Sequence, residues 1–189
     1  AADQGHTMII PRKALTLLKT TLPSENTNVN MEFNASNAFF NFNNIKMICR
    51  LIDERFPDYE NVIPVDNNNT IGINKEELLS SLRRIAIYAN KTTHQVRLKV
   101  TGSELMISAE DLDFSNEANE RLSCEHDGED IEIGFNAKFL IEMLNNLDTD
   151  ELSLKLSAPN RAGIILPKEK DDNEDILMLV MPVMLNNYV

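Results

Sequence analysis

Apolar and polar positions repeat three times along the chain in the same order. Each repeat starts with an apolar pair, continues with Pro or Asn, and then carries leucines at helical spacing. The repeats read IIPRKALTLLKTTL, IGINKEELLSSLRRI and IGFNAKFLIEMLNNL, and their equivalent positions Pro11, Asn74 and Asn136 lie 63 and 62 residues apart. Proline suits the start of a helix, and asparagine caps the free N–H groups there. The pattern therefore predicts three short amphipathic helices, and Glu77, three residues after Asn74, resembles the second half of a capping box.

Segments with strand-like alternation follow each predicted helix. Turn signals such as TGSE, DGED and APNR separate some of these segments from one another. The segments are NVNMEF, NAFFNF and IKMICRLID in the first repeat, QVRLKV, ELMISAED and NERLSCEHD in the second, and ELSLKLS, RAGIILP and ILMLVMPVML in the third. Alternation of apolar and polar residues is typical of strands with one buried face. Each repeat is therefore predicted to be a strand, a helix and three further strands, which makes this an α+β protein.

A connector rich in Pro and Asn, DERFPDYENVIPVDNNN, separates the first repeat from the other two. Such a segment marks a domain boundary, and we predict one domain over residues 1–65 and a second over residues 66–189. The second domain contains two repeats, whereas the first contains a single one. Because a half-domain would leave a sheet edge exposed, we expect its companion repeat to lie upstream in a longer protein.

The apolar ending ILMLVMPVML is predicted to be the last strand of the third repeat. Pro182 has no N–H to donate to a neighbouring strand, so regular pairing is expected to stop there. We therefore predict that residues Ile176 to Met181 are buried in the sheet. Residues 183–185 are expected to lie across the surface, where methionines suit contact with several partners.

Composition narrows the classes of function. The net charge of −12 argues against general nucleic-acid binding, because non-specific DNA affinity comes from Lys and Arg near phosphates. A local basic face is still compatible with this charge. The apolar runs are shorter than the ~18 residues that a membrane-spanning helix needs, and the first residues do not form a signal peptide. Since Cys49 and Cys124 also form no CxxC pair, we expect a cytoplasmic protein with reduced thiols.

The sequence contains no pattern that is typical of an enzyme. His6, His94 and His126 are scattered and do not match the spacing of zinc ligands. Asp111 and Asp113 are predicted to lie in a loop between strands. A glycine-rich loop that would hold phosphate is also missing from the sequence. We therefore predict a protein without catalytic activity, bound metal or cofactor.

The predicted helices carry cations on their polar faces. The first helix has Arg12, Thr16 and Lys19 on one face and Leu15, Leu18 and Leu22 on the other. The second has Ser81, Arg84 and Lys91 near one line, and Leu78, Leu82, Ile85 and Ala89 opposite. The third carries Lys138, Glu142 and Asn145 and is neutral overall. For a helix taken alone, a solvated polar face is the simpler interpretation, and contact with a phosphate backbone is the alternative.

Four motifs, in order and in register, resemble one protein family. RFPDY followed by VIP, IPRK at the first helix, IEIGFN before the third helix, and LVMPVML near the end resemble the bacterial DNA polymerase III beta subunit, the sliding clamp family. The resemblance covers essentially the whole chain, and corresponds to the second half of the middle domain plus the complete last domain. It implies the DNA-clamp fold, in which βαβββ units repeat and helices cover one face of antiparallel sheets.

The resemblance also implies a function and partners. It implies a non-catalytic processivity factor in the bacterial cytoplasm, associated with the nucleoid during replication. Two subunits of the full-length protein form a ring around duplex DNA, with helices lining the hole. Short peptides of DNA polymerase III, of clamp-loader subunits and of other replication and repair proteins bind a groove between the middle and last domains. The alternative is an acidic α+β adaptor that binds peptides and has no role on DNA.

Three sets of site residues follow from the resemblance. The DNA-facing set is Arg12, Lys13, Lys19, Arg84 and Lys91. The partner-peptide groove is Pro57, Val62, Asn136, Phe139, Val180, Met181, Pro182, Val183, Met184 and Leu185. The subunit interface is Ile87 and Tyr88. Because Thr93, Met184 and the terminal NNYV depart from the family pattern, the peptide preference stays open.

Overall fold

A computed structural model describes residues 5–24, 26–169 and 174–185. The chain divides into two compact units, Ala1–Asp58 and Tyr59–Val189. The domain boundary expected at residue 65 stays a prediction. None of the helices in the described ranges is long and apolar enough to cross a membrane.

The first unit is one helix on a three-stranded antiparallel sheet. Its elements are α1 (Arg12–Thr21), β1 (Asn30–Phe33), β2 (Asn37–Phe42) and β3 (Ile45–Arg50), and the strand order is β1-β2-β3. Alternate residues of β2, namely Ala38, Phe40 and Phe42, are buried beneath Leu18 and Leu22. Leu15, which was predicted on the apolar face, is 46% exposed.

The second unit contains two helices and nine strands in its described part. A short 3₁₀ turn (Glu60–Val62) precedes the first strand, and a second one (Ala86–Tyr88) follows the first helix. The elements are β4 (Asn69–Asn74), α2 (Lys75–Ile85), β5 (Gln95–Thr101), β6 (Glu104–Asp111), β7 (Asn116–Ser123), β8 (Glu125–Asp127), β9 (Ile131–Asn136), α3 (Ala137–Asn145), β10 (Glu151–Leu156), β11 (Gly163–Pro167) and β12 (Met178–Val180).

The second and third repeats exchange their first strands. The five-stranded sheet has the order β12-β11-β10-β4-β8, so strand β4 of the second repeat pairs with β10 of the third. The four-stranded sheet has the order β7-β6-β5-β9, so strand β9 of the third repeat pairs with β5 of the second. All pairs are antiparallel. This exchange joins the two repeats into one core, and it confirms the α+β fold of repeated units with antiparallel sheets.

Each repeat also pairs its first strand with the end of its own last strand. In every repeat, the paired residue of the first strand lies three positions before the first residue of the helix. The pairs are Ile9 with Ile52, Gly72 with Glu125, and Gly134 with Val183. In the first and third repeats the N–H of the later residue donates to the carbonyl of the earlier one, at 3.0 and 2.8 Å. The end of the third repeat is therefore one instance of a feature that all three share.

The core of the second unit lies between its helices and its two sheets. Helix α2 buries Leu78, Leu79, Leu82 and Ile85, and α3 buries Ala137, Leu140 and Leu144. Their partners are the alternate apolar residues of β4, β5, β6, β9 and β10. The opposite surfaces of α2 and α3 carry charged and polar side chains that are exposed to solvent.

The burial predicted for residues Ile176 to Met181 is confirmed for Val180, and Ile176 and Met178 are partly buried against the core, but it is wrong for Leu177 and Met181. Only Met178–Val180 forms a strand, and within this strand only Val180 is fully buried. Leu177 and Met181 are 43% and 62% exposed. The reason is position in the sheet: β12 is an edge strand with β11 as its only neighbour in the sheet order, so its ends are covered less completely than a central strand would be.

Candidate functional site

Asparagine side chains fix the start of both helices in the second unit. The Asn74 side chain accepts a hydrogen bond from the N–H of Glu77 at 3.1 Å, and the Asn136 side chain accepts one from Lys138 at 2.9 Å. These contacts confirm the predicted caps. The Asn136 amide nitrogen also donates to the carbonyl of Thr93 at 3.1 Å. Asn136 therefore holds α3 against the loop that follows α2, and both ends of its side chain are occupied.

Arg84, which was predicted to face DNA, is held by a carboxylate. Its Nε and Nη2 donate to the two oxygens of Glu120 on β7, at 2.7 and 2.6 Å. This hydrogen-bonded pair raises the pKa of Arg84. It also lowers the pKa of Glu120, and the Ser81 hydroxyl lowers that pKa further. The charge of Arg84 is thus offset within the protein.

Ser81 and Lys91 were predicted to lie on the same polar line of the second helix as Arg84, but they do not share an exposed helix face with it. Ser81 is completely buried, so its prediction as a member of a solvated face is wrong. Lys91 lies beyond both α2 and the following 3₁₀ turn, and its Nζ donates to the carbonyl of Ile87 at 3.1 Å. Helical spacing fails for Lys91 because α2 ends at Ile85.

Arg83 was missed by the sequence analysis. It is exposed on α2, and its Nη2 donates to Oδ1 of Asn145 on α3 at 2.8 Å. Asn145 is neutral, so this contact positions the guanidinium without offsetting its charge. The adjacent pair Arg83–Arg84 was a visible signal in the sequence, but the spacing alone does not show which of the two meets a carboxylate.

The cations of α1 are all exposed. Arg12, Lys13 and Lys19 lie on the solvent side of the helix in the first unit. The Thr16 hydroxyl donates to the carbonyl of Arg12, one turn earlier in the helix, at 3.0 Å. α1 therefore presents three positive side chains to solvent.

The segment Met181–Leu185, here called the terminal segment, combines anchored and exposed residues. The N–H of Val183 donates to the Gly134 carbonyl, and the Leu185 side chain lies directly over Gly134. Met181 and Met184 are 62% and 69% exposed. The backbone is therefore tied to the edge of β9, while the two methionine side chains face solvent.

The other residues predicted for the groove occupy different positions. Val180 belongs to the core and supports the surface only from beneath. Phe139 is 58% exposed on α3, which packs against β12, and Val62 is 53% exposed on the first 3₁₀ turn. Pro182 is partly buried within the terminal segment. Pro57 belongs to the first unit, and the NNYV ending lies outside the described residues.

Ile87 and Tyr88, the predicted subunit interface, project from the 3₁₀ turn after α2. They are 64% and 42% exposed. Large apolar side chains are costly to leave in water, so these positions are suited to contact with another molecule. None of the residues that the structure describes covers them to the extent seen for core residues.

Residues that could bind a metal ion do not come together in the described part of the chain. No group of three His, Cys, Asp or Glu side chains there is arranged to hold a metal ion. Asp111 is the last residue of β6 and not a loop residue as predicted; it is buried, and its carboxylate accepts from the N–H of Asp113 at 3.1 Å. Cys49 and Cys124 are free thiols, and burial raises the pKa of Cys124.

Both units of the chain match domains of the same known protein family. Residues 60–183 match the family model for the DNA polymerase III beta subunit, C-terminal domain, and residues 1–58 match the model for its central domain. The beta sliding clamp of Vibrio cholerae is 31% identical over 94% of this chain and 48% of its own length. That of Pseudomonas aeruginosa is 28% identical over 97% of this chain and 49% of its own length.

Solved structures show the same relationship. A sliding clamp from Pseudomonas aeruginosa bound to griselimycin has a TM-score of 0.88 at 28% identity, over 95% of this chain and 48% of the other. A clamp from Bartonella birtlesii bound to griselimycin has a TM-score of 0.83 at 27% identity, over 94% of this chain and 47% of the other. This chain thus spans about half the length of the relatives it matches. The chain belongs to the DNA polymerase III beta subunit family, the bacterial sliding clamps.

Proposed function

We propose that this chain forms part of a ring that encircles duplex DNA and tethers replication proteins to it in the bacterial cytoplasm. The observation that carries the proposal is the agreement with a solved sliding clamp over 95% of the chain, at a TM-score of 0.88. The ring has no catalytic role: it raises processivity because it stays linked to DNA while its partners work. Ile87 and Tyr88 contact the neighbouring subunit in the complete ring.

The polar surfaces of the helices face the DNA in this proposal. Exposed Arg12, Lys13 and Lys19 on α1 supply positive charge, and such contacts to phosphate carry no sequence information. The overall charge of −12 is compatible with this role, because only the surface that faces DNA needs to attract phosphate. Weak, salt-dependent attraction suits a ring that slides along the duplex.

The terminal segment forms part of the surface that binds partner peptides. Met181 and Met184 offer flexible apolar side chains that adapt to different partners. Val183 and Leu185 hold the segment in place on β9, so little ordering is required when a peptide binds. Apolar anchors of a peptide, such as leucine and phenylalanine, suit this surface.

Calorimetry with a short peptide that carries leucine and phenylalanine anchors tests this role. Met181→Ser is compared with Leu112→Ser, a matched control on the β6–β7 turn, because the two side chains are 62% and 63% exposed. We expect Met181→Ser to weaken binding by about 1–2 kcal/mol, as for a central interface residue, and Leu112→Ser to bind like the wild type. Equal affinity of all three proteins, or no binding by the wild type, would contradict the peptide role.

A further inference from the structure

We propose that Arg83, held by Asn145, is the arginine of α2 that contacts DNA phosphate, and that Arg84 is not. The inference rests on the proposed function, because it assumes that the helix surface meets DNA. It replaces the expectation from the sequence, which selected Arg84. The two guanidinium groups differ in what they already bind.

Arg84 is already engaged by a carboxylate. Two of its nitrogens meet the two oxygens of Glu120 at 2.6 and 2.7 Å, which is the geometry in which a guanidinium also binds phosphate. A phosphate can take this place only if Glu120 is displaced. The Arg84–Glu120 pair is neutral as a whole, so it attracts a phosphate backbone weakly.

Arg83 has the complementary properties. Within residues 5–24, 26–169 and 174–185, its side chain makes one hydrogen bond, to the neutral side-chain oxygen of Asn145 at 2.8 Å. In the described part of the chain, no carboxylate lies within ion-pair distance of it. A guanidinium has five N–H donors, so the remaining donors and the full positive charge are available. The bond to Asn145 restrains the long side chain and reduces the entropy lost when phosphate binds.

The two arginines also point to different sides of α2. Arg84 reaches β7, whereas Arg83 reaches across to α3 and lies over the junction between the two helices. Lys138 and Glu142 are also exposed on α3, and neither forms an ion pair with Arg83 among the described residues. Arg83 therefore presents its charge to solvent at this junction, whereas the charge of Arg84 is offset by Glu120.

The test measures DNA affinity of the 189-residue chain against salt concentration, by fluorescence anisotropy with a short labelled duplex. The slope of log affinity against log salt is negative, and loss of one phosphate contact decreases its magnitude by about 0.9. We expect this decrease for Arg83→Ala, a smaller one for Asn145→Ala, and none for Arg84→Ala. Glu120→Gln should increase the magnitude of the slope because it releases Arg84. Unchanged thermal unfolding would show that each variant is folded.

Side-chain NMR provides a second measurement on the same protein. In a ¹⁵N spectrum of the arginine Nε–H groups, the Arg83 signal should shift on addition of duplex while the Arg84 signal stays in place. A slope for Arg84→Ala as shallow as that for Arg83→Ala, or shallower, would overturn the inference while DNA binding stands. Absence of any salt-dependent binding by the wild type would overturn the proposed DNA role as well.

Discussion

Substitution of Gly134 by alanine should loosen the terminal segment without disturbing the core. Gly134 lies in β9 between Ile133 and Phe135, whose side chains point into the core. A Cβ added to it would point the other way, to within 2.4 Å of the Val183 carbonyl oxygen and 2.7 Å of Leu185 Cδ2. Strand β9 is paired with β5 along its whole length. The terminal segment, which has a single bridge to β9, must therefore give way.

The size of the effect follows from the contacts that are lost. Overpacking in a tight site costs about 1–3 kcal/mol, and the Val183–Gly134 hydrogen bond contributes about 0.5–1.5 kcal/mol. If the segment detaches, the steric strain is relieved and the hydrogen bond and the apolar contact are lost instead. We therefore expect the free energy of unfolding to fall by about 1–3 kcal/mol.

The second repeat offers a matched control. Gly72 occupies the position equivalent to Gly134, but a Cβ there would meet the Oε2 atom of Glu125 at 3.1 Å. The Glu125 side chain is 82% exposed and can move, so Gly72→Ala should change stability by less than about 0.5 kcal/mol. Urea unfolding gives the stabilities, and hydrogen exchange gives the protection of the Val183 amide. If Gly134→Ala matches Gly72→Ala in stability and keeps that amide protected, the reasoning is refuted.

Three further predictions concern the caps, the ion pair and the exposed methionines. Asn136→Ala should lower the free energy of unfolding by about 0.5–2 kcal/mol, because α3 loses its cap; urea unfolding measures this, and an unchanged midpoint would contradict it. Because Arg84 lowers the pKa of Glu120, the ion pair contributes stability above the ordinary carboxylate pKa and loses it as pH falls through the lowered value. The stability difference between wild type and Glu120→Gln should thus shrink in thermal unfolding scans as the pH falls below the ordinary carboxylate pKa, whereas a constant difference would argue against the pair. Met184→Ser should leave stability within about 0.5 kcal/mol, since Met184 is 69% exposed, and should weaken peptide binding in calorimetry; a destabilised protein would show that Met184 supports the fold instead.

The sequence predicted the elements well because three repeats carried the same signals. The residues before the helices, Pro11, Asn74 and Asn136, all occupy the predicted place. The exchange of first strands between repeats was not predictable in the same way. Periodicity shows which face of a strand is apolar, but β4 and β9 have the same pattern and either could pair within its own repeat.

The incorrect predictions at the candidate site also arose because residue spacing does not show which distant elements of the fold come together. Residue spacing placed Ser81 on a polar face, but β7 approaches α2 on that side and buries it. Spacing also could not separate Arg83 from Arg84, because their difference depends on Glu120 and Asn145, which are distant in sequence. The continuous apolar run at the end predicted full burial, whereas an edge position leaves Met181 exposed.

Topological linkage to DNA is the most direct measurement of the central claim. A chimaera would carry this chain in place of the matching half of the Vibrio cholerae clamp. The alignment of the two proteins covers 94% of this chain. Sedimentation would first establish that the chimaera forms a closed dimer. After loading by a clamp loader, gel filtration would then follow the protein with nicked circular DNA before and after linearisation. We predict co-elution with the circle and release on linearisation. A closed dimer that stays equally bound to circular and linear DNA, or binds neither, would contradict the account.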